Sequence, residues 1–348
     1  MRGRPAELSR EAILTGRRRA SALEARLEPG PDALRRAAWA GLQDSMPRAA
    51  LLSIHARVRE TVPAVMDDPT LVQLWGPRYS AYVVAEADRG IFALARLPQD
   101  AGKRAYAYDL ADRLEAFLDG RAISYADAGR AIGVAPNALR YAAATGRVLI
   151  RWDGAGRPTV RTVPAPAIEP GDARRELARR FLHVFGPGTP GSFATWAGIR
   201  PQAAGAAFDG IAREIVPVRT PIGDGSILAT DEASFREGGG AAAGSGDAAE
   251  GVAVRLLPSG DTYYLLQDSD RALLVPDPGR RSELWTSRVW PGALLVDGDM
   301  TGTWRRADET VRVRPWRALS AAEREAVERE ARSLPLPGLR GGIVVAWE

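Results

Sequence analysis

Apolar and polar positions along the chain alternate in a pattern that repeats. Leu8, Ile13, Leu14 and Leu23 predict an amphipathic helix over residues 8–27, ended by Glu28-Pro29-Gly30-Pro31. Asp32 is a good N-cap for a second helix to about Leu42, and Pro47 opens a third, to about Val58. Leu51, Ile54 and Val58 share one face of that third helix. Leu71–Trp75 and Ser80–Val84 then read as two strands around Gly76-Pro77-Arg78.

The same order returns twice. Tyr108–Asp119 is helical, with Leu110, Leu114, Phe117 and Leu118 at helical spacing. Ser124 caps a short helix that stops near Gly133, and Pro136 starts another that ends at Gly146. Val148–Trp152 and Thr159–Val163 form a hairpin across Asp153-Gly154-Ala155-Gly156. In the third copy Arg174–Phe185 is helical, Ser192-Phe193-Ala194 starts a short helix and Gly198 breaks it. Pro201 starts the next helix, to about Ala212, and Ile215–Arg219 pairs with Ser226–Thr230. Helix, short helix, turn, helix and two-stranded wing, three times over, predict tandem winged-helix (helix-turn-helix) units.

Residues 236–250 have the composition of a flexible loop. Beyond them strands are predicted at Val252–Leu257, Thr262–Leu266, Ala293–Val296, Thr301–Arg305 and Thr310–Val313, with a hairpin turn at Asp297-Gly298-Asp299. A charged, solvated helix, Ser320–Ser333, and a last strand, Ile343–Trp347, complete the chain. The fold class is α+β. The expected organisation is an N-terminal helix (1–30), winged helices at 31–104, 105–166 and 167–235, the loop (236–250) and a β-rich domain (251–348).

Composition narrows the chemistry. At 348 residues, 45% hydrophobic and 26% charged, the chain has the soluble globular profile. No apolar run approaches the ~18 residues of a membrane helix. Arg17-Arg18-Arg19 is followed by no apolar leader core, so a cytoplasmic location is expected. The absence of cysteine excludes disulfides, zinc–thiolate sites, iron–sulfur clusters and thiol catalysis. His55 and His183 are the only histidines, too few for a histidine-built metal centre. Lys103 is the only lysine among 47 basic residues, a bias that composition alone accounts for. The distribution says more: residues 1–174 hold 26 basic and 20 acidic side chains, against 21 and 23 in residues 175–348. A basic N-terminal half suits an anionic partner, although chance produces such asymmetries too.

Several strings add a resemblance. They are Gly41-Leu42-Gln43 with Pro47-Arg48-Ala49-Ala50; Leu74-Trp75-Gly76-Pro77-Arg78; Gly186-Pro187-Gly188-Thr189 with Phe193-Ala194 and Trp196; Leu256-Leu257-Pro258 with Asp261; and Trp290-Pro291-Gly292 to Asp297-Gly298, then Gly302-Thr303-Trp304-Arg305. In this order, over nearly the whole chain, they resemble the winged-helix DNA glycosylases of the AlkZ-like and YcaQ-like family. The resemblance implies three winged helices in a C-shape around duplex DNA, with the C-terminal β-rich part barrel-like. It implies a monomer that releases alkylated purines, bulky adducts included, without metal or cofactor. The family carries Gln-x-Gln or Gln-x-Asp before the Arg-Ala-Ala helix; here the tripeptide is Gln43-Asp44-Ser45. The first glutamine is kept, the third position is a serine, and an aspartate stands one residue early.

Breaking an N-glycosidic bond develops positive charge on the sugar, which oxygen dipoles and a held water assist. An N7-alkylated purine is already cationic and leaves without protonation. Gln43 is then the candidate to position the water. Ser45 can hydrogen-bond a water but supplies no charge, and Asp44 is a base only if the loop turns it into the cleft. The competing reading makes Asp44 or Ser45 the N-cap of the next helix.

Candidates for nucleic-acid contact are Arg48, Arg57, Arg78 and Tyr79, which flank the catalytic tripeptide and its hairpin, and His55 between them. Asn137, Arg140 and Tyr141 share a face of the second unit's last helix, and Arg305 and Arg306 follow the Gly-Thr-Trp string. Each has a bland reading as a solvated or structural residue, and His183, in apolar company, reads as structural. Trp39, Trp75, Trp196 and Trp304 read as core. The tripeptide's departure also leaves room for a DNA-binding protein without base excision, a regulator or damage sensor. Winged helices serving as a protein scaffold are a third reading, for which DNA affinity is weak and insensitive to salt.

Overall fold

A computed structural model describes residues 5–30, 32–154, 156–237, 251–267, 269–338 and 341–348. The chain opens with a short strand, β1 (Ala6–Glu7), and Ser9 then caps α1 (Arg10–Ala20) by accepting the Ala12 N–H at 3.1 Å. The helix ends well before Leu27, because Ser21 closes back on Arg17 and Ala22 takes a positive φ of 53°. Next come α2 (Ala33–Ala37), β2 (Leu42–Gln43), α3 (Ala49–His55), β3 (Leu71–Trp75), β4 (Ala81–Ala85) and α4 (Arg89–Leu94). Asp32 makes no side-chain cap bond, and α2 is only one turn long. The residues expected to continue it instead pass through Gly41, at φ 74°, into β2. A side chain at Gly41 would lie 2.9 Å from Tyr82 and Phe92, so both the turn and the packing require glycine.

The second stretch carries α5 (Ala101–Leu118), β5 (Ile123–Ser124), α6 (Tyr125–Ala131), α7 (Leu139–Ala143), β6 (Val148–Arg151) and β7 (Thr159–Thr162). Ser124 caps α6 as expected, accepting the Ala126 N–H. The third carries α8 (Pro170–Phe185), α9 (Pro190–Ala197), α10 (Pro201–Gly210), β8 (Ile215–Thr220), β9 (Gly223–Leu228) and α11 (Glu232–Glu237). The loop expected at 236–250 lies outside the described residues from 238 onward; its first two positions finish α11.

The C-terminal part contains β10 (Val254–Leu257), α12 (Ser269–Leu274), α13 (Pro278–Leu284), β11 (Gly292–Val296), β12 (Asp299–Ala307), β13 (Thr310–Pro315), α14 (Ala321–Arg332) and β14 (Val344–Trp347). The strand expected at Thr262–Leu266 is absent. The Asp261 carboxylate accepts the Tyr263 N–H and starts a 3-10 turn at Thr262–Tyr264, so local capping overrides the strand preference of these residues.

Among the described residues the strands form three sheets. β1, β8 and β9 make one, with β1 parallel to β8. The hairpins of the first two repeats merge into a six-stranded sheet of order β2-β4-β3-β6-β7-β5, joined where Gln73 of β3 pairs with Ile150 of β6. The third sheet, β10-β11-β12-β13-β14, has free edges at β10 and β14, so it is open and not the expected barrel.

The largest core joins β3 and β4 to α4, α8, α9 and α10, with Phe181, Phe185, Phe193, Trp196 and Phe208 clustered inside it. Trp75, Trp196 and Trp304 are buried, whereas Trp39 is half-buried under the Arg180 guanidinium, 3.9 Å from its ring centroid. A second core packs α1 against β8, β9, α11, α12 and β11, tying the first helix to the third repeat and the C-terminal part. No helix of the described residues is long and apolar enough to cross a membrane.

Candidate active site and DNA-facing surface

Gln43 is held by its strand. β2 pairs with β4, Leu42 opposite Val83 and Gln43 opposite Tyr82, and the Asp44 N–H donates to the Ala81 carbonyl at 2.8 Å. Extended backbone sends successive side chains to opposite sides, so Gln43 and Asp44 point apart. The Gln43 Oε1 accepts from the Arg78 Nη2 at 3.2 Å and is 3.5 Å from the Tyr82 hydroxyl. On its other side is Gly260, from the loop after β10: a Cβ added there would lie 3.2 Å from the Gln43 Nε2.

Arg78 is fixed in turn. It and Tyr79 both have positive φ, 55° and 58°, in the turn between β3 and β4. Such backbone costs non-glycine residues about 1–2 kcal/mol each and persists only where surroundings impose it. Here the Arg78 Nη1 donates to the Trp196 carbonyl at the end of α9 at 2.8 Å, and the Arg78 backbone packs on Gly198. Three regions of the chain therefore converge on the Gln43 carboxamide.

Asp44 does not face the cleft. It is buried; its Oδ1 accepts the Ala50 N–H at 3.0 Å in the first turn of α3, and its Oδ2 accepts the Gln73 Nε2 at 2.6 Å. The Gln73 amide also meets the Trp152 backbone, accepting its N–H at 2.6 Å and donating to its carbonyl at 3.0 Å. Asp44 is therefore a capping residue for α3 that also ties the second hairpin to the Gln43 segment. Burial raises its pKa to about 6, against the lowering effect of those two hydrogen bonds. Ser45 is exposed next to it.

Two expected contacts are corrected. Arg57 is buried, with 2% of its surface accessible, and makes a bidentate pair with fully buried Asp261 at 2.8 Å. The Ser53 hydroxyl donates to the same carboxylate at 2.6 Å. Burial pushes the Asp261 pKa up, but the Arg57 charge and the hydrogen bonds outweigh it and hold the carboxyl below its usual range. Arg57 thus serves the interior, anchoring the loop that carries Gly260 to α3. His55 is also buried, its Nε2 3.2 Å from the Ser333 hydroxyl. Burial lowers its pKa to about 4, so at neutral pH it has no charge to offer a phosphate. His55 is the last residue of α3, a helix buried throughout, and Arg57 follows two residues beyond its end.

The other candidates lie at or near the surface. Arg48, at φ 64°, is half-buried before α3. Burial and the charge of Arg48 both lower the pKa of Arg306 on β12, so the two cations repel one another. Arg305 is exposed and donates to the Val289 carbonyl at 2.9 Å. Across the hairpin it stands opposite Arg312, and Arg314 lies one step along the same face. Directly opposed like charges are unfavourable without an anion between or near them. Arg305, Arg306, Arg312 and Arg314 line a cavity of about 420 Å³, together with Glu283 and Glu348. Asn137 is exposed, Arg140 half-buried and Tyr141 exposed, the last in ring contact with Tyr79. Arg151 is taken up by the Met66 carbonyl and Asp67. The His183 Nδ1 is within hydrogen-bond distance, 2.9 Å, of the Asp231 carboxylate on a partly open surface.

Sequence reasoning missed Tyr82, Gly260 and Gln73 as neighbours of the tripeptide. The Leu256-Leu257-Pro258 and Asp261 string pointed to the Gly260 loop without revealing which residue it touches. Among the described residues no three histidine or carboxylate side chains are grouped to hold a metal.

This α+β fold, with a half-buried carboxamide at a junction edged by arginines, matches one family over most of its length. The AlkZ-like DNA glycosylase profile fits residues 34–335, and the chain belongs to that family. Among solved structures it is similar to the Streptomyces sahachiroi DNA glycosylase AlkZ, with a TM-score of 0.76 and 17% identity, covering 98% of this chain and 100% of the other. No curated protein matches.

Proposed function

We propose that the protein is a monofunctional DNA glycosylase that hydrolyses the N-glycosidic bond of N7-alkylated or bulky purines in duplex DNA, acting as a monomer through three winged helices. Family membership supports the reaction class. The observation that carries the site is the Gln43 carboxamide, oriented by Arg78 and confined by Gly260. Its Oε1 accepts from Arg78 at 3.2 Å and only distantly from the Tyr82 hydroxyl at 3.5 Å, so it can still accept a hydrogen bond from the attacking water, whose proton passes to solvent. The same oxygen dipole faces the positive charge that grows on the sugar as the purine leaves. The departing base is a cation that becomes neutral on release, so no acid is needed. Asp44 serves by holding α3 and the Gln43 strand, while Ser45 borders the water's approach. Arg48, Arg305 and Arg306, from two ends of the chain, would neutralise the backbone phosphates on either side.

The position of Asp44 favours a second reading as well. With its carboxylate turned inward and a serine at the family's third position, one carboxamide remains for chemistry, and a non-catalytic duplex binder fits the same surface. Base release from a duplex carrying N7-methylguanine separates the two. Gln43→Ala should lose release while keeping DNA affinity, and unchanged release would remove Gln43 from the site. Ser45→Gln should raise the rate if the serine is a weakened catalytic position; a fall in rate would make Ser45 itself part of the working site.

A further inference from the structure

Beside Arg78 three tyrosines from separate elements meet at the surface. Tyr79 follows Arg78 in the turn, Tyr106 lies on α5 and Tyr141 on α7. The Tyr141 ring meets Tyr79 nearly edge-on at 5.5 Å between centroids and Tyr106 at 6.2 Å. Tyr79 is clamped from its face by the Arg96 guanidinium, 4.4 Å from the ring centroid, which is buried and donates to the Trp75 carbonyl at 2.7 Å. Tyr106 and Tyr141 remain 43% and 46% exposed, so the cluster is no extension of the core. One ring is fixed and two present open faces.

The surroundings are cationic. Lys103 precedes Tyr106 by three residues on α5 and shares its helix face. Lys103 and Arg200 line a cavity of about 160 Å³ together with Tyr79. Neither has an ion-pair partner among the described residues. Next to Tyr141, the Arg140 Nε is buried without a hydrogen-bond partner. Open aromatic faces beside unpaired cations suit a ligand that carries a planar ring and a phosphate together. Bases within an intact duplex cannot offer their faces, because they are stacked on one another.

We infer that Tyr79, Tyr106 and Tyr141 form a stacking platform for an unpaired nucleotide of the bound DNA, with Lys103 and Arg200 receiving its phosphate. The inference rests on the duplex-DNA reading above and adds a second contact to it. Through Arg78 the platform adjoins Gln43, so capturing a nucleotide there would hold the duplex open next to the bond to be broken.

The test uses the full chain and two unalkylated duplexes of equal length, one containing a single bulged 2-aminopurine. Wild type should bind the bulged duplex about tenfold more tightly than the paired one, with quenching of the 2-aminopurine fluorescence. Tyr106→Ala should abolish both the preference and the quenching while keeping affinity for the paired duplex, which shows that the variant is folded. Tyr106→Phe should keep both. Equal wild-type affinity for the two duplexes would overturn the inference, as would an alanine variant that retains preference and quenching. Gln43→Ala should keep the preference. A wild type that shows the preference yet releases no base would leave the platform standing and remove the glycosylase reading.

Discussion

Asp44 shows how far a single residue's environment can depart from its place in a motif. Its folded pKa is about 6 against an ordinary 3.8, so the folded state holds the proton more tightly than the unfolded chain. The associated stability is fully present below pH ~3.8 and is lost as the pH rises through about 6. Relative to Asp44→Asn, wild type should lose about 2 kcal/mol between pH 4 and pH 7 in paired denaturant titrations. A difference that does not change with pH would show that the carboxyl does not titrate in that window. Asp261 works in the opposite sense, because its pKa is lowered by Arg57. Asp261→Asn leaves Arg57 buried without a counter-charge and should cost about 3–5 kcal/mol at pH 7. A loss below 1 kcal/mol would mean the pair does not anchor the loop. The capping role of Asp44 was one of two readings open in the sequence, whereas the interior role of Arg57 was not legible there. Asp44 read as a base or a cap, and Arg57, which flanks the tripeptide and its hairpin, read as a nucleic-acid contact. The partners that decide the matter, Gln73 and Asp261, are remote in sequence from their targets.

At the scale of elements, the repeated pattern gave most helices and all three hairpins, because apolar spacing and turn residues agree locally. It failed where a few residues switch state. Residues near Leu42 read as the tail of a helix, yet Gly41 and the pairing with β4 make them a strand, and that strand orients Gln43. Thr262–Leu266 read as a strand from β-branched and aromatic content, yet Asp261 caps it into a turn. Gly260 in that turn has φ 76°, and an added methyl would crowd the Gln43 Nε2 at 3.2 Å. Gly260→Ala should therefore cost about 1 kcal/mol of stability and lower base release disproportionately, by tenfold or more. Equal, small effects on both would show that the loop does not confine the carboxamide.

At the scale of the whole molecule, the sequence indicated three repeats and a β-rich end but not how they join. The merger of two hairpins through Gln73 and Ile150, the docking of β1 on β8 and the openness of the last sheet all depend on contacts between segments far apart in the chain. The same long-range packing brings Arg306 within electrostatic reach of Arg48, from opposite ends of the chain. If both meet phosphates, the slope of log affinity against log salt should fall by roughly 0.9 for each arginine replaced by alanine. An unchanged slope would place the DNA elsewhere.

Gln43, at the junction of the first hairpin, α9 and the Gly260 loop, is the residue proposed to carry out base excision. The most direct measurement is single-turnover release of N7-methylguanine from duplex DNA by wild type and by Gln43→Ala, with binding titrated alongside. The expected result is release above the spontaneous rate that disappears in the variant while duplex affinity stays within about twofold. Salt-dependent binding by both proteins, with no release above the spontaneous rate by either, would contradict it and leave a DNA-binding protein without glycosylase activity.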